Sequence, residues 1–89
     1  MTSIDQKSPA AKDIENWLAA YVAKAMKIDL SEIDTRKTFE HYGMGSLEAV
    51  SLISELEDWL GRPLDATLMW DYPAIESLAQ YLTTAARVN

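Results

Sequence analysis

GMGSLEAVSLISELEDWLG, residues 43–61, is the stretch that decides the fold class of this 89-residue chain. Two glycines close a turn, a serine follows, and no glycine or proline then interrupts the chain until Gly61. That order reads as a helix over residues 46–60, stopped by the residue best suited to a left-handed conformation. Leu47, Val50, Ile53, Leu56 and Leu60 recur at three-and-four spacing and are expected to form its buried stripe, widened by Ala49, Leu52 and Trp59. Its charged residues, Glu48, Glu55, Glu57 and Asp58, are all acidic, so the helix presents a negative face.

Upstream, Ile14, Trp17, Leu18, Tyr21, Val22 and Ala25 mark one face of a helix over residues 9–26, with Ser8 and Pro9 as its start signal. Residues 27–45 hold no sustained period and read as a long ordered loop, pinned to the core by Ile28, Leu30, Ile33 and Phe39, with a helical turn at 30–34. Downstream, residues 66–71 have room for one or two turns. Pro73 opens a last helix reaching about residue 85, with Ile75, Leu78, Ala79 and Leu82 inward. The expected fold is all-α, a small four-helix bundle with three principal helices and one short one. A single domain is expected at 9–86, with a short extension before it and residues 87–89 as a tail.

Composition narrows the function. With 48% hydrophobic residues the chain has the makings of one core. No apolar run reaches the length of a membrane span, and the first residues lack a secretory pattern, so a cytoplasmic location is expected. The net charge of −6 disfavours phosphate backbones and points to partners with basic surfaces rather than nucleic acid. With no cysteine, thiol nucleophiles and thiolate metal sites are excluded.

Few residues suggest chemistry. The sole histidine, His41, stands five residues before Ser46, but no motif supplies an orienting acid or an oxyanion site, so no catalytic residues are expected and His41 reads as packing beside Tyr42. Asp29, Glu32 and Asp34 do not form a calcium loop, because Asp34 stands where that loop needs glycine. Ser46 is placed differently. At the first turn of a helix it lies beside free N–H groups and the positive end of the dipole, which would favour an attached phosphate. Gly43 and Gly45 leave its hydroxyl open to another protein's active site. The plain alternative is that Ser46 or Gly45 only caps the helix.

GMGSLEAV at 43–50, the acidic ISELEDWLG that follows and LMWDYPAIESLAQYL at 68–82 together resemble the phosphopantetheine-dependent acyl carrier proteins, polyketide-synthase type, over most of residues 14–82. The first stretch is similar to that family's Gly-x-Asp-Ser-Leu attachment motif. The resemblance implies that Ser46 takes 4′-phosphopantetheine from coenzyme A through a phosphopantetheinyl transferase, and that the arm's thiol carries acyl groups as thioesters. It implies an acyl-loading enzyme such as an acyltransferase or acyl-AMP ligase, and a ketosynthase or other synthase domains, as partners of a monomeric, cytoplasmic, non-catalytic carrier. Glu48, Glu55, Glu57 and Asp58 become candidates for steering contacts, and Met44 and Leu47 for apolar contact near the arm. Peptidyl carriers share the fold, but Gly43-Met44-Gly45 lacks their Gly-Gly pair, so polyketide or related lipid and natural-product biosynthesis is expected. Gly45 departs from the family's usual Asp. The competing reading is a helical docking module that keeps the carrier fold and carries nothing.

Overall fold

A computed structural model describes the backbone of residues 10–88 and the side chains of residues 10–84. Its helices are α1 (Ala11–Met26), α2 (Ser46–Leu60), α3 (Leu68–Asp71) and α4 (Ile75–Val88). Two 3₁₀ turns, Leu30–Glu32 and Glu40–Tyr42, lie in the loop between α1 and α2. The bundle has the expected three long helices and one short one. Ser8 and Pro9 fall outside the described residues. The helix starts at Ala11, where the Asp13 carboxylate reaches back to accept the Ala10 N–H at 3.2 Å. The last helix begins two residues after Pro73 and runs to Val88, past the expected end near residue 85.

Ile14, Leu18 and Val22 of α1, Leu52, Ile53 and Leu56 of α2, Leu68 and Met69 of α3, and Ile75, Leu78, Ala79 and Leu82 of α4 are buried together. Four amphipathic faces thus share one core, and α1 and α4 form the principal helix pair. The buried face of α2 differs from the expected stripe. Leu47 is 77% exposed and Val50 56% exposed, whereas Ala49, Leu52, Ile53, Leu56 and Leu60 turn inward. At about 100° per residue, Leu47 lies roughly opposite the centre of that inward group. Trp59 is also partly exposed, lying against Trp17 with ring centroids 5.4 Å apart.

The long α1–α2 loop is ordered by named bonds. The Phe39 N–H donates to Pro73 O at 2.8 Å and the Glu76 N–H to Thr35 O at 2.9 Å, which ties the loop to the start of α4. The Tyr42 hydroxyl donates to the Asp34 carbonyl at 3.0 Å and accepts the Asp34 N–H at 2.6 Å, closing the loop on itself. Phe39 is buried and Ile28 and Ile33 are half-buried, as expected of anchors, but Leu30 is 56% exposed and pins nothing. It sits in a one-turn 3₁₀ helix whose start is capped by Asp29.

Two helices end in left-handed residues. Gly61 adopts φ 76° and donates its N–H to Glu57 O at 2.8 Å, whereas Lys27 closes α1 at φ 59°. A side chain in that region is crowded by its own carbonyl. Lys27→Gly is expected to raise stability by about 0.5–1 kcal/mol and Gly61→Ala to lower it by about 1 kcal/mol. Urea melts of both variants check this. The same sign for both would contradict the assigned helix ends.

Candidate functional site

The start of α2 is built on a glycine. Gly45 is its N-cap in an extended conformation, and its carbonyl accepts the Ala49 N–H at 2.9 Å to begin the helical ladder. Ser46 is the first helical residue, so capping does not account for its hydroxyl, which is exposed. Glycine has no side-chain oxygen to offer the first-turn amides. The return bond alone is made, Glu48 Oε1 accepting the Gly45 N–H at 2.9 Å. The N–H groups of Ser46, Leu47 and Glu48 precede the first helical donor, the Ala49 N–H, and therefore lack intrahelical partners. An exposed hydroxyl thus stands at the positive end of a 15-residue helix.

A cavity of about 180 Å³ opens beside this hydroxyl, bordered by Phe39, Met44, Ala49, Met69 and Trp70, with Glu40, Gly45 and Ser46 at its polar side. Met44 is 7% exposed and belongs to the core, and it also borders this cavity beside Ser46. Its backbone N–H bonds Phe39 O at 3.3 Å, which turns the side chain under the loop. Trp70 stands 71% exposed on α3 at the cavity edge and was not anticipated. The signal lay in the run Leu68-Met69-Trp70, because three successive apolar residues on one helical turn point in directions about 100° apart and cannot all face one core.

The acidic residues of α2 separate by role. Glu55 and Asp58 are exposed. Glu57 is half-buried, and its Oε2 accepts the Leu64 N–H at 2.7 Å, so this carboxylate anchors the loop after α2. Glu48 is likewise half-buried and bound to the N-cap. Leu47, expected in the buried stripe, is instead at the surface next to Ser46. Tyr21 faces α2 from α1, and partial burial, then the nearby Glu55 charge, raise its pKa above the ordinary phenol value.

His41 is exposed and packs edge-on against Tyr42, with ring centroids 4.9 Å apart. Asp29 and Asp34 each accept the N–H of the residue two ahead, at 3.0 and 2.9 Å, and these bonds hold both carboxyls below their ordinary pKa. They are turn-forming groups. Among the described residues no cluster of three or more His, Asp or Glu is placed to hold a metal ion, and no helix is long and apolar enough to cross a membrane.

Gly45→Asp is expected to leave stability within about 0.5 kcal/mol of the parent. The backbone there suits any residue, and an added Cβ would lie 3.3 Å from the flexible end of Glu48, which can move aside. A loss well over 1 kcal/mol in urea melts would contradict this cap geometry.

Residues 16–82 match the family model described as a phosphopantetheine attachment site. The chain is 30% identical over 84 residues to the acyl carrier protein TtuC of Teredinibacter turnerae, spanning 92% of this chain and 97% of that protein. It also matches a polyketide synthase subunit at 30% identity, of which it spans only 4%. Among solved structures it is similar to a free-standing peptidyl carrier protein from Acinetobacter baumannii, with 35% identity, a TM-score of 0.81 and coverage of 86% of this chain and 96% of that one. It is similar as well to Asl1650 from Anabaena sp. PCC 7120, an acyl carrier protein with a variant phosphopantetheinylation-site sequence, with 34% identity, a TM-score of 0.81 and coverage of 88% and 90%.

Proposed function

The chain belongs to the phosphopantetheine attachment-site family, and from that premise we propose that Ser46 is the residue that bears the arm. The observation that carries this assignment is the exposed Ser46 hydroxyl at the first position of α2, beside unpaired first-turn amides and an apolar cavity. These features suit the group. A phosphodiester at Ser46 would lie against the positive end of the dipole and the free N–H groups of α2, and the small residue Gly45 leaves room for it. The arm, when bound, supplies the thiol that a chain without cysteine lacks and holds acyl groups as thioesters.

The protein is a carrier and not a catalyst, serving polyketide-type biosynthesis, and synthase enzymes are its partners. Its own residues contribute presentation. A rigid helix start holds the tethered group at one place and raises its effective concentration in each partner's site. Exposed Leu47 and Val50 flank Ser46 with apolar surface, and Glu55 and Asp58 add negative charge farther along the same helix. That combination suits partners that offer an apolar pocket rimmed by basic residues. The finer partner set comprises a phosphopantetheinyl transferase, an acyl-loading enzyme of the acyltransferase or acyl-AMP ligase kind, and a ketosynthase. The bundle alone does not separate acyl from peptidyl cargo, since a peptidyl carrier is equally similar in fold; the sequence relatives favour acyl groups.

Gly45 is read as a tolerated variant of the attachment motif. The cap is intact without an Asp side chain, and a carrier with a variant site sequence is among the similar structures. Incubation with coenzyme A, magnesium and a broad-specificity transferase, followed by intact-protein mass spectrometry, tests the reading. The expected result is a gain of one phosphopantetheine. No gain in either the parent or Gly45→Asp would leave a docking module with the carrier fold.

A further inference from the structure

We propose that Tyr42 is a positioning residue for the loading of Ser46: its hydroxyl latches the loop that keeps the first turn of α2 in place. This rests on Ser46 being the attachment residue. The need for a latch comes from the helix start itself. Gly45 offers the first-turn amides no side-chain oxygen, so the order of that turn depends on the chain that leads into it. This lead-in is short. Tyr42 ends a 3₁₀ turn, Gly43 closes that turn by donating its N–H to Glu40 O at 2.9 Å, and Met44 is buried just before the cap.

Tyr42 holds the lead-in at both ends of its side chain. The ring packs against the core, while the hydroxyl accepts the Asp34 N–H at 2.6 Å and donates to the Asp34 carbonyl at 3.0 Å. One side-chain atom thus satisfies both backbone groups of a single residue across the loop. The gripped segment is in turn bonded to the start of α4, through Thr35 O to the Glu76 N–H and through the Phe39 N–H to Pro73 O. A continuous path therefore runs from α4 through residues 34–39 to Tyr42, and from Tyr42 to the cap of the serine-bearing helix.

Removing only the hydroxyl separates this role from packing. In Tyr42→Phe the ring keeps its seat on the core, the Asp34 N–H and C=O lose their partner, and the first turn of α2 frays more often. Val50, Glu55 and Asp58 lie beyond that turn, so the helix still docks, but fewer docked chains present the Ser46 hydroxyl in a reactive position. The loss therefore falls on kcat and not on KM.

Loading kinetics of the full chain with coenzyme A, magnesium and a phosphopantetheinyl transferase test this, together with amide hydrogen exchange. The variants are Tyr42→Phe, Gly45→Asn, the two combined, and Val22→Ala, a buried truncation on α1 that costs at least as much stability. In Tyr42→Phe, kcat is expected to fall roughly 3- to 10-fold with KM within about twofold of the parent. The Ala49 amide, which makes the first helical bond, is expected to exchange faster by about the same factor. Val22→Ala, folded by thermal melting, is expected to keep the parent kcat and the parent exchange at Ala49. Asparagine at 45 caps the first turn with its own side-chain oxygen, so in that background Tyr42→Phe is expected to change kcat less than about twofold. A parent kcat in Tyr42→Phe, an equal fall in Val22→Ala, or an equal fall with and without asparagine at 45 overturns the proposal. A parent chain that acquires no phosphopantetheine refutes the assignment of Ser46 itself, and this inference falls with it.

Discussion

Ser46→Ala is expected to abolish phosphopantetheine loading completely while leaving the bundle folded. The hydroxyl is the only atom lost. It is exposed and takes no part in capping α2, because the N-cap is Gly45 and the return bond comes from Glu48. Alanine is also a stronger helix former than serine, so the first turn should be unchanged or slightly more stable, by a few tenths of a kcal/mol at most. Intact mass after treatment with coenzyme A and transferase reads the first half of this expectation, and a urea melt the second. Residual loading in the alanine variant would move the attachment to another hydroxyl. Ser51 and Ser54, exposed farther along α2, are the first to replace in that case. Loss of loading together with a large loss of stability would mean that Ser46 holds the loop to α2, against the cap geometry described here.

The second large effect lies in the core. Leu52→Ala is expected to cost about 2–5 kcal/mol, since the side chain is wholly buried where α2 meets the rest of the bundle and the void left behind is only partly refilled. Small domains are stable by only about 5–15 kcal/mol in total, so the variant should unfold at a markedly lower urea concentration with an unchanged slope. The position of Ser46 depends on this packing, because α2 places the serine only while the helix is seated. Leu47→Ala, on the same helix but facing solvent, should change stability by less than about 0.5 kcal/mol. A melt in which the two variants lose equal stability would contradict the orientation of α2.

Much of the architecture was legible because local chemistry and tertiary demand agree. The α2 boundaries, the stop at Gly61, a short helix within 66–71 and the inward residues of α4 follow from helix periodicity and from residues that end helices. Ser46 was legible for the same reason: a glycine turn before an uninterrupted helix places it at a helix start. The orientation of α2 was harder to read. Eight apolar residues, Leu47, Ala49, Val50, Leu52, Ile53, Leu56, Trp59 and Leu60, cover more than half of its circumference, so spacing alone admits more than one buried face.

Neighbouring residues of like type around the site take different roles once the chain is folded. Met44 neighbours the exposed serine, yet it is buried because the loop closes over it through Phe39. Glu57 has the same composition-level signature as Glu55, yet only Glu57 bonds the Leu64 amide. Phe39, Met69 and Trp70 come from two further segments to border the cavity beside Ser46. The sequence by itself determined the helices, the two ends of α2 and the serine at its head, because each rests on interactions within a few residues. Tertiary structure alone decided which face of α2 is buried and where the cavity opens, because both depend on surfaces supplied by α1, α3, α4 and the long loop.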